Sequence, residues 1–251
     1  MAISNYQINL LHLSEVDSTN AWLRSNLSNY THGFVVSTDY QTTGKGQASN
    51  VWESERGSNL LFSLLLEPIK IPIKEQFILS QLVSISIVNV LRNLLNKEVR
   101  IKWPNDIYVD NKKLCGILIE NTIIDSQMAK AIIGIGLNVN QQIFTSDAPN
   151  PVSMHQLCGN SLSPALVLKD IVTEILKDYD AFIIEQSKSL QETYFSLLYR
   201  NKGYHLFQTQ NLLFEAEIDS ILPTGPIRLR TKKGEYKLFA FKEVQFVIAS
   251  H

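Results

Sequence analysis

The chain has 251 residues and 45% of them are hydrophobic, enough for a sizeable core in one large domain or in a main domain with a small appendage. With 23 basic and 24 acidic residues the formal net charge is −1, so no basic excess marks a general nucleic-acid binder. Cys115 and Cys158 stand far apart without metal-type spacing, which fits a reduced cytoplasmic protein better than a disulfide framework. The start of the chain is not basic and no signal-type apolar core follows it.

In chain order, residues 8–16 read as a strand. Asp17-Ser18-Thr19 then offers N-cap side chains for a helix to about residue 29. Residues 33–41 read as a second strand, and 42–58, rich in Gly, Ser, Thr and Asn, as a long loop of the kind that carries function. An apolar strand at 60–67 precedes a helix at 77–95, whose apolar residues fall at helical spacing. That helix carries Gln81, Ser84, Ser86, Asn89, Arg92 and Asn93, so it reads as buried and not as a membrane span. Strands at 99–103, 107–109 and 113–121 follow, with a hairpin turn at Asp110-Asn111-Lys112. Residues 129–139 form another strand, 140–164 read as irregular, and Ser163-Pro164 opens a helical region to about 199. From 204 onward, short strands at 204–208, 213–221, 227–230, 236–241 and 244–247 are separated by Pro223-Thr224-Gly225 and Lys233-Gly234 turns. The fold class expected is α+β: a mixed sheet with helices over 1–201, followed by a small β-barrel over 202–251.

Four segments have chemical potential. Gly44-Lys45-Gly46 brackets a lysine with glycines in a polar loop, either a mobile surface loop or one whose amides and cation meet an oxyanion. It is not a Walker loop, because Asp39 and Gly46 stand where a glycine and a hydroxyl residue are needed. Lys102-Trp103-Pro104-Asn105-Asp106 runs a strand into a rigid corner, either an ordinary capped turn or acceptors for a nucleotide or Mg²⁺. Lys113 opens an apolar strand and is either solvated or partly desolvated toward an anion, while Cys115 beside it reads as a buried structural thiol. Gly134-Ile-Gly136 places two glycines in a strand, a sign of close approach, with Asn138 at its end; Val139 breaks the dinucleotide fingerprint. The scattered histidines (12, 32, 155, 205 and 251) form no zinc spacing or triad.

Taken together and in order, Asp17-Ser18-Thr19-Asn20, the Gly44–Trp52 loop, Lys102-Trp-Pro-Asn-Asp106, Lys113-Leu-Cys-Gly-Ile-Leu-Ile-Glu120 and Gly134-Ile-Gly-Leu-Asn138 resemble the biotin–protein ligase family. The resemblance implies a catalytic domain of the class II aminoacyl-tRNA synthetase and biotin ligase type, with an SH3-like C-terminal barrel. It implies that biotin and MgATP give biotinyl-5′-AMP, and that a lysine of a carboxylase's biotin carboxyl carrier domain then takes the biotin. Carried over position by position, Ser18, Thr19, Asn20, Gln41, Gly44, Lys45, Gly46, Gln47, Lys113 and Gly116 lie against biotin. Lys45, Trp52, Lys102, Asn105, Asp106, Lys113 and Asn138 form the adenylate site, with Lys113 and Lys45 as its catalytic cations. Trp52 becomes a stacking partner for adenine. Magnesium arrives with ATP, near Asp106, and no metal site is made by protein alone.

Two departures stand out. Lys45 and Gln47 occupy a loop where the family usually places arginines, and lysine lacks the bidentate fork of arginine. The biotin motifs also begin close to the first residue, so the expectation is a ligase without the helix-turn-helix domain of repressor relatives, with no specific DNA partner. A homodimer is left open. The rivals are a lipoate–protein ligase or lipoyl transferase, and a non-catalytic adaptor.

Overall fold

The computed structural model describes residues 7–47, 51–67, 71–145, 150–185 and 189–248. The 48–50 part of the candidate loop therefore lies outside the described residues.

The chain opens with β1 (Asn9–Leu13), α1 (Thr19–Ser25) and β2 (Phe34–Thr38). Strands β1 and β2 are parallel, so the chain must cross over between them, and α1 with a short 3-10 turn at Leu27–Asn29 makes that crossing. The helix is shorter than expected, and Ser18 sits at its N-cap without a side-chain capping bond. Next come β3 (Leu60–Leu66), the short β4 (Ile71–Pro72) and α2 (Phe77–Leu95). All seven residues of β3 are buried, as befits a central strand covered on both faces, and Ser63 is its one polar member. Strands β5 (Val99–Lys102), β6 (Asp106–Val109), β7 (Lys112–Ile124) and β8 (Gln127–Leu137) form an antiparallel meander. The sheet order is β1-β2-β3-β8-β7-β6-β5, with β4 also on β8.

Three further helices follow: α3 (Met154–Cys158), α4 (Pro164–Glu185) and α5 (Ser189–Leu197). The stretch expected to be irregular thus contains a helical turn, closed by a capping box between Ser153 and Gln156. The single helical region expected from 164 is two helices; residues 186–188 are outside the described set. Helices α2, α4 and α5 cover one face of the sheet. Helix α2 is long and apolar enough to cross a membrane by composition, yet two thirds of that window (67%) is buried here. Helix α1 covers part of the other face, with Leu23 packed on Phe34, Val36, Leu65 and Ile132.

The chain ends in β9 (His205–Gln208), β10 (Leu213–Ile221), β11 (Ile227–Thr231), β12 (Tyr236–Phe239) and β13 (Gln245–Phe246). They make a separate antiparallel sheet in the order β12-β11-β10-β9-β13. Alternating burial along β11 shows one apolar face, and that face joins the same core cluster as the larger sheet. The join is specific. The Trp103 indole N–H donates to Gly225 O at 2.9 Å, and Phe241 packs on both Trp103 and Phe77. Gly225 has φ +111, and a Cβ there would stand 2.7 Å from the Phe241 ring, so both backbone and space demand glycine.

Candidate active site

The face of the large sheet left open beside α1 forms the floor of a cavity of about 740 Å³. Register explains why it is open. Gly116 of β7 pairs with Gly136 of β8, and Leu118 pairs with Gly134, so three glycines pave adjacent positions. A Cβ on Gly136 would stand 2.5 Å from the Trp52 ring, one on Gly116 2.8 Å from it, and one on Gly134 2.4 Å from Asn20 Oδ1. The floor is thus built for flat groups pressed against backbone. The two glycines singled out in the sequence, Gly134 and Gly136, are both part of it.

One end of the cavity is a neutral hydrogen-bonding network. The Thr19 amide donates to Gln41 Oε1 at 2.8 Å, and the Thr19 hydroxyl lies 3.1 Å from the same oxygen. The Ser63 hydroxyl lies 2.7 Å from Thr19 Oγ1 and 2.6 Å from Asn20 Oδ1. Ser18, Thr19, Asn20 and Ser63 are all buried. They can stay so because each polar group has a partner or faces the cavity.

The other end is cationic. Lys45, Lys102, Lys113 and Lys242 line the cavity, against one carboxylate, Asp106, among its described residues. The Lys113 ammonium lies 2.6 Å from Asp106 Oδ1 and 5.5 Å from the centre of the Trp52 ring. The Lys102 ammonium lies over the rings of Tyr108 and Phe246, at 5.2 and 5.4 Å. Burial holds its pKa below the usual lysine value; Asp106 opposes that shift, and Lys113 and Arg200 add to it. Such a cluster of confined lysines attracts a polyanion. Among the described residues no cluster of three or more His, Cys, Asp or Glu stands ready for a metal.

The glycine-lysine loop closes over the floor. The Trp52 amide donates to Gly44 O at 3.0 Å, and Lys45 bridges to Val51. A Cβ on Gly44 would lie 2.9 Å from the Trp52 carbonyl, so this closure needs glycine. Gly46, Gln47 and Trp52 line the cavity beside Lys45.

The structure thus brings together Ser18, Thr19, Asn20, Gln41, Lys45, Gly46, Gln47, Trp52, Lys102, Asn105, Asp106, Lys113 and Gly116, and Gly44 frames the loop. Asn138 is placed differently. It is 3% exposed, lies outside the cavity lining, and donates its amide to Val152 O. Asn105 lines the cavity, but its amide donates to Ile117 O at 2.7 Å, extending the β6–β7 ladder. Cys115 is fully buried and burial pushes its thiol pKa up, as a structural thiol requires. Sequence reasoning missed Ser63 and the C-terminal wall of Lys242, Gln245, Phe246 and Ile248. Ser63 carried a signal, as the lone polar residue of the apolar run Leu-Leu-Phe-Ser-Leu-Leu-Leu.

Residues 13–138 match the model of the biotin/lipoate A/B protein ligase family. The chain belongs to this family. Among relatives in it, the bifunctional ligase/repressor BirA of Bacillus subtilis is 31% identical over 236 residues, covering 91% of this chain and 70% of that protein. The chloroplastic biotin–protein ligase 1 of Arabidopsis thaliana is 31% identical over 189 residues, covering 74% of this chain and 51% of that one. The chain therefore spans about two thirds of the one relative's length and about half of the other's. A solved biotin protein ligase from Aquifex aeolicus, in complex with biotin and ATP, superposes with a TM-score of 0.79 at 24% identity, covering 95% of this chain and 99% of that one. The α+β fold with its mixed sheet is thus the fold of a biotin ligase.

Proposed function

We infer that this chain is a biotin–protein ligase that activates biotin with MgATP and transfers it to a lysine of a biotin carboxyl carrier domain. The observation that carries this reading is the polarity of one continuous cavity. A neutral donor and acceptor network stands at one end, a lysine cluster at the other, and a glycine floor runs between them. Biotin has the matching polarity, with a cyclic urea at one end and a carboxylate at the other. Lipoate has an apolar dithiolane in place of the urea and would leave the Gln41 Nε2 donor and the free Thr19 lone pair at the cavity wall without a ligand partner, at a cost in affinity.

In the first half-reaction a biotin carboxylate oxygen attacks the α-phosphorus of ATP and the bond to the β-phosphate breaks, giving biotinyl-5′-AMP and pyrophosphate. Lys113 holds the carboxylate and α-phosphate together, and Lys45 and Lys102 take further phosphate oxygens. Fixed cations lower the barrier by stabilising charge as it gathers in the transition state. Magnesium enters with the triphosphate, and Asp106 is the carboxylate that would face it. Adenine stacks on the Trp52 face turned away from Gly116 and Gly136. In the second half-reaction the carrier's lysine amine attacks the acyl carbon, AMP leaves, and the amine loses a proton. Gly44, Lys45, Gly46, Gln47 and Trp52 shield the anhydride from water in the meantime.

We also propose that residues 1–201 form the catalytic unit and 202–251 an SH3-like unit. Free Cys115 and Cys158 suit the reducing cytoplasm, where we place the enzyme. The test is incubation with biotin, MgATP and a carboxyl carrier domain, followed by intact-mass measurement. A single biotin adduct on the carrier is expected. An adduct formed with lipoate and not with biotin would replace this reading with the lipoate one.

A further inference from the structure

We propose that Glu120 is a positioning residue for ligand recognition, acting through Asn20 to set the direction of the Asn20–Ser63–Thr19 hydrogen bonds at the neutral end of the cavity. The proposal rests on the biotin-ligase reading and deepens it.

An asparagine carboxamide can face either way round, and its neighbours decide which. Asn20 Nδ2 lies 3.0 Å from Glu120 Oε2 and 3.3 Å from Leu118 O. Both partners only accept, so the amino group of Asn20 must point at them. Its oxygen then faces Ser63 at 2.6 Å, over Gly134. A serine hydroxyl has one proton, and here it must go to Asn20 Oδ1. Ser63 then turns a lone pair toward Thr19 Oγ1, 2.7 Å away, and the Thr19 hydroxyl has two acceptors in reach, Ser63 Oγ and Gln41 Oε1 at 3.1 Å. Gln41 Oε1 is already held by the Thr19 amide. The result at the cavity wall is fixed: Thr19 Oγ1 offers a lone pair, and Gln41 Nε2, with no hydrogen bond among the described residues, offers protons.

A cyclic urea needs such a pair, an acceptor for ring N–H and a donor for its carbonyl. Glu120 is itself held by an ion pair with Arg24 from the same helix as Asn20. It is 100 positions from Asn20 in sequence, and the two meet because α1 lies across β3 and β8, and Glu120 of β7 pairs beside Ile132 of β8. Without the carboxylate, Leu118 O alone would favour one orientation, at the longer distance, and the carboxamide could turn over. Ser63 and Thr19 would then lose their fixed polarity, while Gln41 stays held by the Thr19 amide.

The experiment is pyrophosphate exchange with Glu120→Ala, Glu120→Gln and Ser63→Ala beside the wild type. Glu120→Ala is expected to raise the KM for biotin about tenfold, leaving kcat and the KM for ATP within about twofold. Glu120→Gln keeps an acceptor oxygen and should stay within about threefold of wild type for biotin. Ser63→Ala breaks the chain one link further on, so it reproduces the selective loss even if Glu120→Ala folds poorly. An unchanged biotin KM in both alanine variants overturns the proposal, as does a rise in both substrates' KM values together. Equal impairment of the glutamine variant also overturns it. Exchange that does not depend on biotin in the wild type is a different failure; it overturns the reading of the reaction, and this inference with it.

Discussion

The Lys113 ammonium and the Asp106 carboxylate are in contact at 2.6 Å, across a hairpin that joins β6 to β7, and both side chains are largely shielded. A carboxylate in that position holds the ammonium in place at the cavity wall. It also means that either residue, removed alone, leaves a shielded charge behind.

Lys113→Ala should therefore lower biotin-dependent pyrophosphate exchange by roughly 10²–10³-fold, the scale of losing one preorganised charge in a transition state. The circular dichroism spectrum should remain that of the wild type. Full activity would remove Lys113 from the mechanism.

Gly134→Ala should act without touching any charge. Its new methyl would lie 2.4 Å from Asn20 Oδ1, closer than atoms can sit, so Asn20 must move. A displacement of that size near bound substrate can cost roughly 10²-fold in kcat/KM. Steady-state kinetics on the variant checks this. Wild-type kinetics would mean that Asn20 has freedom the packing does not show.

Gln47 lines the cavity beside Lys45 and carries no charge. Gln47→Arg should slow escape of biotinyl-5′-AMP by adding a bidentate donor for its phosphate. Rapid gel filtration of enzyme loaded with labelled adenylate measures the rate. Equal release from both proteins would show that closure of the loop backbone already sets retention.

The thiol of Cys115 is buried and its pKa is pushed up, so it holds its proton through the neutral range and offers no thiolate for alkylation. Native protein treated with iodoacetamide at neutral pH should gain at most one adduct, on the half-buried Cys158. Two adducts by intact mass would contradict the packing around Cys115.

Trp103→Phe should leave Gly225 O without its donor in a buried place, a loss of about 1–3 kcal/mol. Chemical denaturation should show it as a lower midpoint with activity per folded molecule nearly retained. A midpoint equal to wild type would mean that the two sheets are held by the Phe241 contacts alone.

Much of this was legible in the sequence, and the gaps have physical causes. Helix α2 has the limits its apolar spacing indicated, because a helix buried on most sides leaves a dense periodic trace. Strand β10 has the limits expected as well, with the Pro223-Thr224-Gly225 turn just beyond its end. Helix α3 was overlooked although Ser153-Met-His-Gln156 spells a capping box, because five residues give too little periodicity to see. Residues carried in motifs line one cavity, and cavity residues contributed by distant packing left no local signal. Phe246 lines the cavity only because β13 folds back beside Lys102, which no local pattern encodes. Asn138 shows the reverse. Its place in a motif suggested ligand contact, yet its buried amide bonds the backbone at Val152, outside the cavity lining.

The apolar cluster that runs unbroken from the larger sheet into the smaller one has a practical meaning for recombination experiments. A chimera that exchanges residues after 201 with those of a relative would exchange more than an appendage. It would import a new lid edge at Lys242, Gln245 and Phe246, and a new socket for Trp103. Crossovers should therefore keep Trp103, Gly225 and Phe241 from one parent, and a chimera that splits the trio should lose stability against denaturant.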